Sequence, residues 1–161
     1  MTEREYQALI SEHLPVLYRV ARSILSNEYD CADAVQEAVF QGWIKQAQLR
    51  ESERFRPWIT RITINECRNL QRRTQRNLNL VSAAAREMCM QADERQVQRQ
   101  KTNLEAALSE MPDKYRLPLV LHYVEDYPTR DIAQMLEIPE GRLRERMRTA
   151  RKMLGRMLGH E

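Results

Sequence analysis

From Arg142 to Arg156 the chain carries seven basic residues and a single acid, Glu145, a net charge of +6 on one short stretch. Arginine donates through a planar fork that matches phosphate oxygens and the O6/N7 edge of guanine, so this density suits contact with a polyanion. A helix that is merely solvated interleaves both signs to pair within itself. Counting 100° per residue from the apolar row Leu143, Met147, Ala150 and Leu154, the side chains of Arg144, Glu145, Arg148, Thr149 and Lys152 point away from any core. Arg142, Arg146 and Arg151 lie on the flanks. A second group of the same kind precedes it: Arg61, Asn65, Arg68, Asn69, Arg72 and Arg73 alternate arginine with asparagine, whose amide hydrogen-bonds base edges.

Elements must hold these groups, and the apolar periodicity says which. Ile132, Ala133 and Leu136 form one buried helical face, and a short connection, Glu137 to Glu140, leads to the arginine-rich helix. Pro139 suits that helix's first turn, where its missing N–H has no intrahelical partner. The pair is a helix-turn-helix whose second helix enters a groove. Ahead of it, Leu104, Ala107, Leu108 and Met111, then Leu117, Leu119, Val120, Leu121, Tyr123 and Val124, supply the core of a small four-helix domain. The earlier basic group lies on a helix that begins near Pro57-Trp58 and turns Ile59, Ile62 and Cys67 or Leu70 inward. Leu14, Leu17, Val20, Ala21, Ile24 and Leu25 make a further amphipathic stripe, ended by Ser26-Asn27.

The helix expected over about Asp30 to Gln48 is apolar on two sides. Val35, Val39, Gly42 and Trp43 share one face, and Phe40 and Ile44 lie opposite, beside Asp33 and Glu37. Both sides must then be covered. Either neighbouring helices of the same domain cover both, or the side bearing Asp33, Gln36, Glu37 and Phe40 docks on a protein partner.

The charge is segregated along the 161 residues: net −4 over 1–53, +6 over 54–76, −4 over 77–141 and +5 over 142–161. Two basic blocks in acidic surroundings suggest two polyanion contacts on one chain. Between them, 77–102 loses its apolar pattern and is rich in Gln, Arg, Glu and Ser, as a linker is; its Ala83 to Lys101 portion has helix-forming composition. The predicted architecture is therefore all-α: two small helical domains, 1–76 and 103–161, joined by 77–102, with the helix-turn-helix in the second. Cys31, Cys67 and Cys89 are odd in number and share no ligand spacing, so no disulfide framework, metal site or cofactor is indicated. His13, His122 and His160 are scattered and form no triad pattern with a carboxylate or cysteine, which argues against an enzyme. No stretch is long and apolar enough to insert in a membrane, and no signal peptide is visible, which predicts a cytoplasmic protein.

Five segments, in order, carry a resemblance: HLPVLYRVARSIL, DCADAVQEAVFQGWI, FRPWITRITINECRNLQRR, LSEMPDKYRLPLVLHYVEDYPTRDIAQML and IPEGRLRERMRTARKML. Together they resemble the extracytoplasmic-function (ECF) sigma factors of the sigma-70 family, over nearly all of the chain outside the linker. The resemblance implies a transcription-initiation subunit that brings core RNA polymerase to promoter DNA. It implies that Asp33, Gln36, Glu37 and Phe40 contact the clamp region of the largest polymerase subunit, and that the C-terminal domain sits at the flap of the second. Arg61, Asn65, Arg68, Asn69, Arg72 and Arg73 would recognise the minus-10 element, with the 49–55 loop holding a splayed base. Arg142, Arg144, Glu145, Arg148, Thr149 and Lys152 would meet the minus-35 element. An anti-sigma factor, often membrane-anchored, is a further implied partner.

Three departures from the family pattern stand out. Glu137 occupies a turn position where glycine is common, and a left-handed backbone there costs about 1 kcal/mol or more. Glu145 replaces a small hydroxyl residue, adding an acceptor for cytosine N4 and repulsion toward phosphate. Asn69 stands where aspartate is frequent. Two other functions stay open on the residues alone: a free-standing helix-turn-helix regulator, which leaves the first basic block unused, and a nucleic-acid enzyme, which lacks a catalytic constellation.

Overall fold

The computed structural model describes residues 1–80 and 102–159, all of whose regular structure is helical. The chain divides into two compact units, Met1–Gln98 and Arg99–Glu161. The expected all-α class with a C-terminal helix-turn-helix is what is found. The helical portion anticipated at Ala83 to Lys101, and Cys89 and His160 with it, lies outside the described residues.

In the first unit α1 (Glu3–Ile24), α2 (Glu28–Ile44) and α3 (Phe55–Leu80) pack against one another. Helix α1 starts well before its expected apolar stripe because Thr2 and Glu5 close a reciprocal capping box, Thr2 N–H to Glu5 Oε2 at 2.9 Å and Glu5 N–H to Thr2 Oγ1 at 3.2 Å. This extra length brings Tyr6 and Ile10 into the core alongside Leu17, Val20, Ala21 and Ile24. Asn27 then caps α2, its Oδ1 accepting from the Tyr29 and Asp30 N–H groups.

Helix α2 ends at Ile44 and gives way to a 3-10 turn, Gln46–Gln48, short of the continuous helix expected to Gln48. Its buried row is Cys31, Ala34, Val35, Ala38 and Gly42, small residues that let the three helices approach closely. A Cβ at Gly42 would stand 2.5 Å from Tyr6 Oη and 2.7 Å from Ile59 Cδ1. Trp43, expected with that row, is instead 36% exposed at the edge, its ring 5.3 Å from the Tyr6 ring. Val39 is only half-buried, and its carbonyl accepts from Tyr6 Oη at 2.5 Å. The helix therefore keeps one fully buried row, and Phe40 and Ile44 remain 56% and 57% exposed.

Helix α3 starts at Phe55, two residues before Pro57, behind a 3-10 turn at Ser52–Arg54. Phe55 is buried among the rings of Tyr6, His13 and Trp58, an aromatic cluster that fixes the helix's first turn. Ile59, Ile62 and Cys67 face inward as expected, joined by Thr60, Thr63 and Ile64; Leu70 is half-buried. Thr63 satisfies its hydroxyl on the Ile59 carbonyl, which is why a polar residue tolerates full burial there.

The second unit holds α4 (Asn103–Glu110), α5 (Asp113–Leu119), α6 (Thr129–Leu136) and α7 (Glu140–Met157). Arg116 ties the α4–α5 corner by donating to the carbonyls of Leu108, Ser109 and Met111, the last at 2.8 Å, while pairing with Asp113. After α5 the backbone widens into a single π turn, Val120–Val124, closed by the Glu125 N–H on the Val120 carbonyl. The wider winding breaks the 100° count. Tyr123 and Val124, expected in the core, are turned out to 58% and 52% exposure, and Glu125 is turned in. Leu104, also expected inside, is 48% exposed on the first turn of α4.

Candidate nucleic-acid interface

The helix-turn-helix is built by α6 and α7. Ile132, Ala133 and Leu136 are buried as expected, and Met135 and Asp131 join them. Glu137 takes the left-handed conformation, φ 57° and ψ 42°, that the turn requires. Its N–H reaches the Gln134 carbonyl at 3.3 Å and the Ile138 N–H reaches Ala133 at 3.1 Å, a Schellman-type closure that satisfies the end of α6. Pro139 precedes the helix as its cap residue, so α7 begins at Glu140, one position after the expected start.

On α7, Leu143, Met147 and Ala150 are buried and Leu154 half-buried. Arg142, Arg144, Glu145, Arg148, Thr149 and Lys152 are all exposed, on the side away from that row. Arg144 Nη2 lies 3.2 Å from Glu140 Oε1, an intrahelical pair one turn apart. Arg151 Nη1 donates to Tyr123 Oη at 3.2 Å, which ties the π turn to the middle of α7. The exposed face thus presents a fan of guanidinium groups with Glu145 as an acceptor among them.

In the first unit Arg61, Asn65, Arg68 and Arg72 follow one another at spacings of four, three and four, a single row along α3. Arg61 and Arg72 are exposed; Asn65 and Arg68 are half-buried. Asn69 and Arg73 occupy the neighbouring row and are exposed. Arg72 Nε donates to the Arg68 carbonyl at 3.3 Å, which sets the direction of its guanidinium. Across from α3, the α2 residues Asp33, Gln36, Glu37 and Phe40 are exposed in one stripe.

Tertiary packing brings part of these two sets together, which their sequence separation did not indicate. Asp33, Gln36 and Glu37 from α2 and Asn69, Arg72 and Arg73 from α3 line one open groove of about 1170 Å³, with Glu66, Leu70, Gln75 and Arg76 completing it. Phe40, Arg61, Asn65 and Arg68 lie outside it. One wall is acidic and the other basic. Glu66 and Arg76 were not singled out from the sequence; Arg76 continues the spacing of Asn69 and Arg73, which was the available signal.

The family description "Sigma-70 region 2" matches residues 9–91 and "Sigma-70, region 4" matches residues 101–154. The chain belongs to the sigma-70 family, as an ECF sigma factor. Among its relatives, the ECF RNA polymerase sigma factor SigM of Mycobacterium tuberculosis is 26% identical over 155 residues, covering 96% of this chain and 78% of the relative. The RNA polymerase sigma factor SigV of Bacillus subtilis is 24% identical over 145 residues, covering 90% and 86%. Two solved structures share the fold. One is the sigma factor RpoE in complex with the anti-sigma factor NepR from Bartonella quintana, with a TM-score of 0.77 at 18% identity over 97% of this chain and 98% of that one. The other is CnrH in complex with the cytosolic domain of CnrY, with a TM-score of 0.69 at 24% identity over 98% and 90%. Each of the sigma factor's two matched regions includes one of the basic helices, α3 in the first and most of α7 in the second. None of the helices in the described residues is long and apolar enough to cross a membrane.

Proposed function

We propose that this sigma factor directs core RNA polymerase to its promoters through two DNA contacts and one protein-docking stripe. Residues 1–76 bind the polymerase clamp and the minus-10 element, 103–161 bind the minus-35 element and the flap, and 77–102 joins them. The exposed α2 stripe, Asp33, Gln36, Glu37 and Phe40, docks on the clamp. Arg61, Asn65, Arg68, Asn69, Arg72 and Arg73 recognise the minus-10 strand, with phosphates on the arginines and base edges on the asparagines. Arg142, Arg144, Glu145, Arg148, Thr149 and Lys152 enter the major groove at minus-35. The observation that carries this reading is the presence of an exposed basic helix in each of the two units matched by the family. A free-standing regulator would use one.

An anti-sigma factor that covers these faces is the second class of partner, supported by the fold relative RpoE, solved in complex with the anti-sigma factor NepR. Runoff transcription with core polymerase over genomic promoter fragments tests the function. Initiation that requires this protein is the expected result; equal transcription with and without it overturns the reading.

A further inference from the structure

The row Arg61, Asn65, Arg68 and Arg72 runs into a second groove of about 650 Å³, which adjoins the acid-walled one along Arg72 and Gln75 and opens toward the end of α1. Ile24 and Leu25, both 7% exposed, give it an apolar lining, Asp30 and Gln71 give it hydrogen-bonding groups, and Arg68 and Arg72 belong to it from the α3 side. Gln71 Nε2 donates to the Ile24 carbonyl at 3.2 Å, which pins the end of α1 to α3 and holds the groove's shape. An apolar surface for a base face, acceptors and donors for its edge, and cations for its phosphate are what an unstacked nucleotide needs.

Along α3, Gln71 is 16 residues from Phe55, about 24 Å at 1.5 Å per residue. The groove is thus far from the 49–55 loop at the helix's other end. Asp30 favours one class of base: a carboxylate has several acceptor positions, more than the contact Asp30 already makes can occupy, and adenine N6 and cytosine N4 donate where thymine O4 cannot. We propose that this groove is a second nucleobase site, taking one unstacked base with an exocyclic amino group from the promoter strand that tracks the Arg61–Arg72 row. This rests on the minus-10 reading above.

The test uses holoenzyme and a premelted promoter recovered from the transcription screen, with single abasic sites placed in turn along the melted non-template strand. Wild-type holoenzyme is expected to lose roughly fivefold or more in affinity at two separated positions. Ser26→Phe, which fills the groove from the α1–α2 turn, and Thr74→Trp, which fills it from α3, should each abolish the loss at one position and keep the other. At that same position, replacing the native base by thymine should weaken the wild type more than Asp30→Asn. A single sensitive position, or two that both survive Ser26→Phe and Thr74→Trp, overturns the second site while leaving the minus-10 reading standing. No binding of the premelted promoter by wild-type holoenzyme overturns both.

Discussion

Arg144 and Arg148 lie one turn apart on the exposed side of α7, and Arg144 is held 3.2 Å from Glu140 while Arg148 reaches into solvent. A base contact through Arg144 must compete with that ion pair, although an exposed pair of this kind contributes only about 0.3–0.5 kcal/mol. Arg148→Ala is therefore expected to weaken minus-35 binding by roughly 1–3 kcal/mol if it reads a base, and Arg144→Ala by an amount at or below that. Fluorescence anisotropy on minus-35 duplexes checks both, and unchanged affinity for the pair would remove these residues from the interface. Glu137 offers a different test. Its left-handed backbone costs a non-glycine residue about 1–2 kcal/mol, partly recovered as chain entropy, so Glu137→Gly should stabilise the protein by about 0.5–1 kcal/mol in a denaturant titration.

Helix α2 carries two jobs on opposite sides, and each has its own signature. On the inner side Gly42 lies under Tyr6 and Ile59, too close for a Cβ. Gly42→Ala should gain about 1 kcal/mol of helix propensity yet lose more to overpacking, for a net destabilisation of about 1–2 kcal/mol. The midpoint of chemical unfolding reports the sign, and a stabilised variant would show that Tyr6 moves aside freely. On the outer side Glu37→Lys reverses one charge of the Asp33–Phe40 stripe without touching the core. Holoenzyme assembly should fall in a pull-down with core polymerase, while minus-35 binding by the full chain without polymerase stays as it was.

Over the whole first unit, three buried weak acids make stability fall at alkaline pH. Burial pushes the Tyr6 hydroxyl from 10 up to about 12, the Cys67 thiol from 9 to about 12 and the Cys31 thiol from 9 to about 11. All three folded values are raised, so the unfolded chain ionises first. Their contribution is intact below about pH 9 and is lost as pH climbs from 9 through 11 and 12. Unfolding midpoints at pH 7.5, 9 and 10.5 should be flat across the first interval and fall across the second; a rise above pH 9 would contradict the burial of these groups. Below pH 9 the thiols of Cys31 and Cys67 stay protonated as well as buried, so alkylation of either should track global unfolding.

Periodicity alone located most of the faces. The rows Leu143–Met147–Ala150, Ile132–Leu136 and Ile59–Ile62–Cys67 are inside, and the basic residues of α7 are outside, because a straight α-helix repeats every 3.6 residues whatever it packs against. The resemblance carried by five segments points to the family for the same local reason, since each is a contiguous stretch of sequence. Periodicity failed wherever the backbone left the ideal helix. The π turn at Val120–Val124 exposed Tyr123 and Val124, and no single residue in VLHYVE announces an i+5 closure. It also failed where helices meet: the aromatic cluster around Phe55 and the close contact over Gly42 join residues tens of positions apart. The arginine-rich α7 is legible in the sequence, because charge and spacing are properties of one helix. That the acids of α2 and the bases of α3 share a groove, and that Arg68 and Arg72 border a second one with the end of α1, was decided by tertiary packing, because a groove belongs to the angle and distance between helices and to no single segment.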